Sequence, residues 1–155
     1  MKLAWKKLLI CLAIPLAVGG LSALLSGGMG DYTNFVQPPL SPPGWVFPVV
    51  WTILYLLMGY ASYRVLTADA PRDEIRKALT LYGVQLLLNF LWSPIFFGLG
   101  WYWVAFAELM LLWALVLLTI RAFNKIDNKA SDLLLPYLLW LTFAAYLNFG
   151  VALLN

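Results

Sequence analysis

Apolar residues along the chain gather into five long runs, at about 6–26, 44–66, 77–98, 101–122 and 133–154. A bilayer core about 30 Å thick needs roughly 20 apolar residues of helix. The pattern therefore predicts an all-α membrane protein, a five-helix transmembrane bundle with residues 1–155 as its single domain. Between the runs lie a Gly/Pro-rich stretch (27–43), a charged one (67–76), a minimal turn at Leu99-Gly100 and a polar one (123–132). The first run, Leu8 to Leu25, exceeds the roughly 7–15 residues of a secretory h-region and shows no small-x-small cleavage pattern, so it is expected to be kept as a span. Pro42-Pro43-Gly44 sets a sharp start to span two, with Pro48 tolerated in its first turn, and Ser131 or Asp132 is the expected cap of span five ahead of Pro136. Pro15 and Pro94 fall inside spans, where they should bend the helix and free backbone carbonyls that need partners.

Charge then fixes a direction for the bundle. Lys2, Lys6 and Lys7 precede span one, Arg64, Arg72, Arg76 and Lys77 stand between spans two and three, and Arg121, Lys125 and Lys129 between four and five. With alternating spans all of these fall on one side, so the positive-inside rule places the N-terminus in the cytoplasm and the C-terminus outside. The net charge of +3 thus reports topology, and nucleic acid is not an expected partner. Composition agrees: 63% of residues are hydrophobic and 11% charged, against about 45–50% and about 25% in soluble domains. A soluble enzyme domain of this length cannot bury that much apolar surface. The chain has no His and a single Cys, Cys11, which excludes a His-ligated metal, a Ser-His-Asp triad and an internal disulfide. Cys11, Gly19 and Ala23 repeat at multiples of four and form a face that a neighbouring helix can approach closely; Gly83 offers the same on span three, which makes a homodimer plausible.

Within the spans the polar residues carry the information, because each needs a partner inside the bundle or a wet cavity to line. Gln85, Asn89, Glu108 and Asn148 are these residues. Asn89, Glu108 and Asn148, together with Trp51, lie about seven to nine residues from the outer ends of their spans, roughly 10–14 Å deep. Such side chains either tie helices together or surround a ligand. Four at one depth beneath a long loop point to a cavity, with the 27–43 loop as its lid. Aromatic residues make up 16% of the chain. Trp5, Trp45, Trp101, Tyr102 and Trp103 fit interface belts, whereas Trp51, Trp92, Trp113 and Trp140 lie too deep for that. Trp51 and Trp140 are read as ligand-facing, Trp92 and Trp113 as packing.

Three segments, PPLSPPGWVFPVVWTILYLLMGYASY, QLLLNFLWSPIFFG (85–98) and LLPYLLWLTFAAYLNF (134–149), stand in order at matching spacing. Together they make the chain resemble the translocator protein family, the tryptophan-rich sensory proteins of bacteria and the peripheral benzodiazepine receptors of mitochondria. The resemblance runs over nearly the whole chain. It implies a five-helix bundle, commonly dimeric, whose outward-facing cavity takes hydrophobic ligands: porphyrins and haem, with cholesterol and benzodiazepine-type drugs in eukaryotic members. Carried over position by position, it marks Tyr32 in the first loop, Trp51 after the PPGWVF segment, Asn89 in QLLLN, Trp140 in PYLLW, and Ala144. Phe47, Pro48 and Val50 in span two, Leu111 in span four and Leu147 in span five are the further ligand-binding positions. Trp51 and Asn89 are reached by both depth and resemblance. The family's cholesterol segment ends in Tyr and a basic residue, whereas this chain reads Leu147-Asn148-Phe149 and has no Lys or Arg beyond Lys129.

The function implied is a membrane receptor, carrier or regulator for tetrapyrroles or other flat hydrophobic molecules, in the lipid bilayer of a bacterial cytoplasmic membrane. Outer-membrane and mitochondrial settings also occur in the family. Porphyrin or haem enters as ligand, and no cofactor is required. Two other functions stand beside it: light- and oxygen-dependent porphyrin degradation with Trp51 and Trp140 as the catalytic pair, and an accessory subunit docking a membrane partner through the small-residue faces.

Overall fold

A computed structural model describes residues 4–26 and 36–155. Tyr32 and the first part of the 27–43 loop lie outside the described residues, so the expected lid is described only from Val36 onward. Five helices follow one another: α1 (Trp5–Leu25), α2 (Val46–Leu66), α3 (Arg72–Ser93), α4 (Tyr102–Ile126) and α5 (Asn128–Leu154), with a π-helical turn at Pro94–Gly98 closing α3. Each is 21 residues or longer. At 1.5 Å per residue each reaches across a hydrocarbon core of about 30 Å. Their outer faces carry Leu9, Ile10, Leu24 and Leu139, all at least 59% exposed, a surface suited to lipid. The chain is an all-α integral membrane protein, as the apolar pattern predicts.

The helix ends differ from the apolar runs in one consistent way. α3, α4 and α5 extend into the charged connections, reaching back to Arg72, on to Ile126 and back to Asn128. Hydropathy marks only the buried part of a helix, while Arg, Lys and Glu are good helix formers in water. The expected cap of α5 moves accordingly: Asp127, not Ser131 or Asp132, accepts from the Lys129 N–H at 3.0 Å. Ser131 Oγ instead shares its one hydroxyl hydrogen between the Asn128 carbonyl at 2.8 Å and Asn124 Oδ1 at 3.1 Å. Pro136 is consequently inside α5 and not in its first turn. At α2 the expectation holds, for Val46 N–H closes a turn on the Pro43 carbonyl and Pro48 follows within the first helical turn. Gly100, with φ +68°, supplies the left-handed residue that lets α4 double back after the π turn.

α1 packs on α2, α2 on α5, α5 on α4, α4 on α3, and α3 closes the ring against α1. Small residues set how closely α1 meets α2. A Cβ on Gly59 would stand 2.6 Å from the Cys11 carbonyl oxygen, and one on Gly19 would enter the Tyr55 ring. The face of Cys11 and Gly19 is therefore occupied by α2 of the same chain, while Gly83 on α3 faces open space. Both prolines free carbonyls that find neighbours: Phe90 O, four residues before Pro94, accepts from Ser22 Oγ at 2.8 Å, and Cys11 O, four before Pro15, lies against Gly59. One half of the bundle is solid, built on Met58, Val65, Leu112, Val116, Phe123 and Leu134. That half adjoins the helix ends that carry the basic residues. The other half is hollow.

Candidate functional site

The hollow half encloses a cavity of about 320 Å³ between α1, α2, α3 and α5. This lies within the range of roughly 300–1,000 Å³ usual for small-molecule sites. Each wall follows from a local choice of residue. α1 contributes Gly19, Gly20, Ser22 and Ala23, whose small side chains leave room. α2 contributes Phe47, Pro48, Trp51 and Tyr55, the last two one turn apart on a single helical face. α5 brings Trp140, Ala144, Leu147 and Asn148 at the same periodicity. The Pro94 kink and π turn swing Phe96 and Phe97 across the end of α3.

Aromatic rings make the inner wall. Trp51 stacks on Tyr55 with centroids 5.5 Å apart, meets Trp140 edge-on at 6.4 Å and 89°, and touches Tyr137 edge-on at 6.2 Å. Phe47 covers Trp140 at 5.8 Å. Edge-to-face pairs of this kind contribute about 0.5–1.5 kcal/mol beyond their burial, and here they hold flat surfaces at right angles around an open space.

The floor is a chain of hydrogen bonds linking α2, α3 and α5. Tyr55 Oη donates to Asn89 Oδ1 at 2.8 Å, Asn89 Nδ2 to Tyr137 Oη at 2.7 Å, and Tyr137 Oη to Gln85 Oε1 at 2.8 Å. A second pair runs beside it: Trp92 Nε1 donates to Asn148 Oδ1 at 3.0 Å, and Asn148 Nδ2 to the Tyr102 carbonyl at 2.9 Å. Asn89 and Asn148 thus line the cavity and tie helices together at once. The indole N–H groups of Trp51 and Trp140 engage none of the described residues; that of Trp140 is sealed, that of Trp51 is not.

The structure sorts the sequence-derived candidates by azimuth. Phe47, Pro48, Trp51, Asn89, Trp140, Ala144 and Leu147 all line the cavity. Val50 does not: one residue before Trp51 it turns to a shallow groove on the outer side of α2 and α5, with Leu139 and Phe143. Leu111 is 56% exposed on α4, a helix that packs behind α3 and α5 and gives the cavity no wall. Glu108, expected at the depth of the others, is on α4 as well; its two carboxylate oxygens are buried and engage none of the described residues. Trp113 packs as expected, its Nε1 donating to Thr142 Oγ1 at 2.9 Å, whereas Trp92 both packs and lines the cavity. Sequence reasoning did not find Tyr55, Ser22 and Tyr137. The i+4 step from Trp51 to Tyr55 was the available signal for the first, and nothing in the sequence pairs Tyr137 with Asn89.

At the basic end, Arg64 Nε meets Asp127 Oδ2 at 2.7 Å, joining α2 to the α4–α5 connection. Burial alone would raise the Asp127 carboxyl, but the Arg64 guanidinium and the Lys129 and Ala130 N–H groups outweigh it and hold the carboxyl below the usual carboxylate range.

Comparison with known proteins assigns a family to this chain. Residues 11–154 match the TspO/MBR family. A tryptophan-rich protein TspO of Chlorobaculum tepidum is 39% identical over 150 residues, 96% of this chain and 95% of that protein. The tryptophan-rich sensory protein of Cereibacter sphaeroides is 43% identical over 80% of this chain and 76% of its own length. The translocator protein of Ovis aries is 39% identical over 79% of this chain and 73% of its own. With a match spanning nearly the whole chain and similarity to both bacterial and mammalian relatives, the chain belongs to the TspO/MBR family.

Proposed function

We propose that this protein binds flat hydrophobic ligands, tetrapyrroles foremost, in the cavity between α1, α2, α3 and α5, and serves as a receptor, carrier or regulator of their transport. The observation that supports the reading most directly is the walled space itself, where Trp51 and Trp140 stand edge to face beside the Asn89 floor. A macrocycle slides in along one edge, its ring against the indoles and its carboxylates at the mouth near Gln37 and Ser41. Among the described residues the lining holds no His, Cys or Met, and on these walls binding rests on ring burial, for a metal-free porphyrin as for haem. Because Lys and Arg sit at the opposite helix ends, the positive-inside rule puts the mouth outside the cytoplasmic face, in a bacterial cytoplasmic membrane.

Titration of tryptophan fluorescence with protoporphyrin IX, in the dark and in detergent, tests this. Saturable quenching is expected, with Trp51→Phe, Trp140→Phe and Asn89→Ala each weakening affinity roughly three- to tenfold. Unsaturable quenching, or unchanged affinity in all three variants, removes the tetrapyrrole reading. The 6.4 Å approach of Trp51 and Trp140 also favours a second reading, oxidative breakdown of a bound porphyrin with light as the energy source and dioxygen as the oxidant. Bleaching that needs light and is lost in either Trp→Phe variant supports it; stable complexes under illumination remove it.

A further inference from the structure

We propose that residues 36–41 form a strap which the C-terminal end of α5 holds across the rim of the cavity, with Asn155 and Tyr146 as positioning residues for ligand retention. The retention part rests on the function proposed above; the strap itself does not.

Three attachments along the C-terminal part of α5 carry the inference. The Asn155 side chain pairs with the backbone of Val36 at two points, Nδ2 donating to the Val36 carbonyl at 2.8 Å and Oδ1 accepting from its N–H at 3.0 Å. This is how one strand residue pairs with another, and it satisfies both backbone groups of a residue 119 positions away. Five residues earlier, Pro38 lies flat on Gly150, where a Cβ would stand only 2.5 Å from the proline ring. One turn before that, Tyr146 Oη donates to the Pro39 carbonyl. Tyr146 and Gly150 stand one turn apart on one face and Asn155 caps the helix end beyond them, so the strap runs along the axis of α5.

The strap is also built to keep its shape. Ser41 Oγ donates to the Pro38 carbonyl at 2.7 Å, and Leu40 holds φ 70°, a backbone state that a non-glycine residue keeps only where its surroundings fix it. From this shape Gln37 and Ser41 project into the cavity lining, beside Leu147 and Val151 of α5. Asn155, Gly150 and Tyr146 do not line the cavity. Their side chains can therefore be altered without changing the chemistry a ligand meets, and any effect on the ligand passes through the position of the strap.

The experiment compares the full chain with Asn155→Ala, Tyr146→Phe and the double variant in detergent. Hydrogen exchange at the Val36 amide should speed up about tenfold in Asn155→Ala, since that amide loses its only acceptor among the described residues. In ligand-free protein, acrylamide should reach the cavity more readily, read as the part of tryptophan quenching that disappears in a Trp51→Phe background. Release of protoporphyrin IX should accelerate about tenfold in the double variant, with association changed less. Unchanged exchange at Val36, or unchanged acrylamide access in the double variant, overturns the strap. Faster exchange and access with unchanged porphyrin release overturns its role in retention. If the parent protein takes up no porphyrin, the tetrapyrrole reading fails while exchange and acrylamide access still decide whether the strap exists.

Discussion

Replacing Tyr137 by Phe removes one oxygen atom from the centre of the bundle and leaves its ring in place. That oxygen accepts from Asn89 Nδ2 at 2.7 Å and donates to Gln85 Oε1 at 2.8 Å, and the side chain is 1% exposed. Hydrogen bonds between helices within a bilayer average about 0.6 kcal/mol and reach about 1.7. Two lost together therefore cost about 1 to 3 kcal/mol. The upper part of that range is favoured here, because Gln85 Nε2 already engages none of the described residues and the whole amide would be stranded. Unfolding in an SDS titration, followed by far-UV circular dichroism, measures the change. Asn89→Ala supplies the second edge of a double-mutant cycle, in which Tyr137→Phe should cost about 0.6 kcal/mol less than in the parent, since the shared bond is already gone. A Tyr137→Phe protein as stable as the parent, or strict additivity with Asn89→Ala, would refute the claim that this chain of bonds holds α3 to α5 beneath the cavity.

Two further outcomes test the helix packing and the charged end. Gly59→Ala places a Cβ 2.6 Å from the Cys11 carbonyl oxygen, so α1 must retreat by about 0.8 Å to reach ordinary contact at 3.4 Å. Overpacking of this kind costs about 1–3 kcal/mol, against a gain of up to about 1 kcal/mol from the better helix former. Gly83→Ala keeps the gain without the clash. Unfolding should therefore find Gly59→Ala the less stable of the two, and the reverse order would sink the close α1–α2 approach. The Arg64–Asp127 pair gives a pH signature. The Asp127 carboxyl is held below its unfolded value near 3.9, so its contribution is complete above that value and disappears as the pH falls through the lower, folded one. Both partners are partly exposed, 28% and 20%, which limits the effect to about 1 kcal/mol. Asp127→Asn preserves the N-cap and removes the charge. The variant should be less stable than the parent at pH 7, and the difference should shrink as the pH falls below the ordinary carboxylate range; a difference that stays constant into acid would show that the ion pair is not its source.

The sequence by itself determined the number of helices and their fitness to cross a membrane, and it set an expected depth for the polar residues within them. Hydropathy and charge act residue by residue against lipid and water, and need no knowledge of neighbours. For the same reason it located Trp51, Asn89 and Asn148 at one level and marked Trp140 as too deep for an interface belt, and resemblance added Ala144 and Leu147. Depth is only one of two coordinates. The rotation of each helix is set by how its ridges and small residues pack, by Gly59 under Cys11, by Gly19 under Tyr55 and by the turn after Pro94. That packing alone brings Trp51 and Asn89 to one cavity, turns Val50 to the groove beside it, and leaves Glu108 and Leu111 on a helix that supplies no wall. Pairings across long stretches of chain, Asn89 with Tyr137 and Val36 with Asn155, arise the same way. Each joins residues whose types are unremarkable in isolation, and the bond exists only because five helices close into one ring.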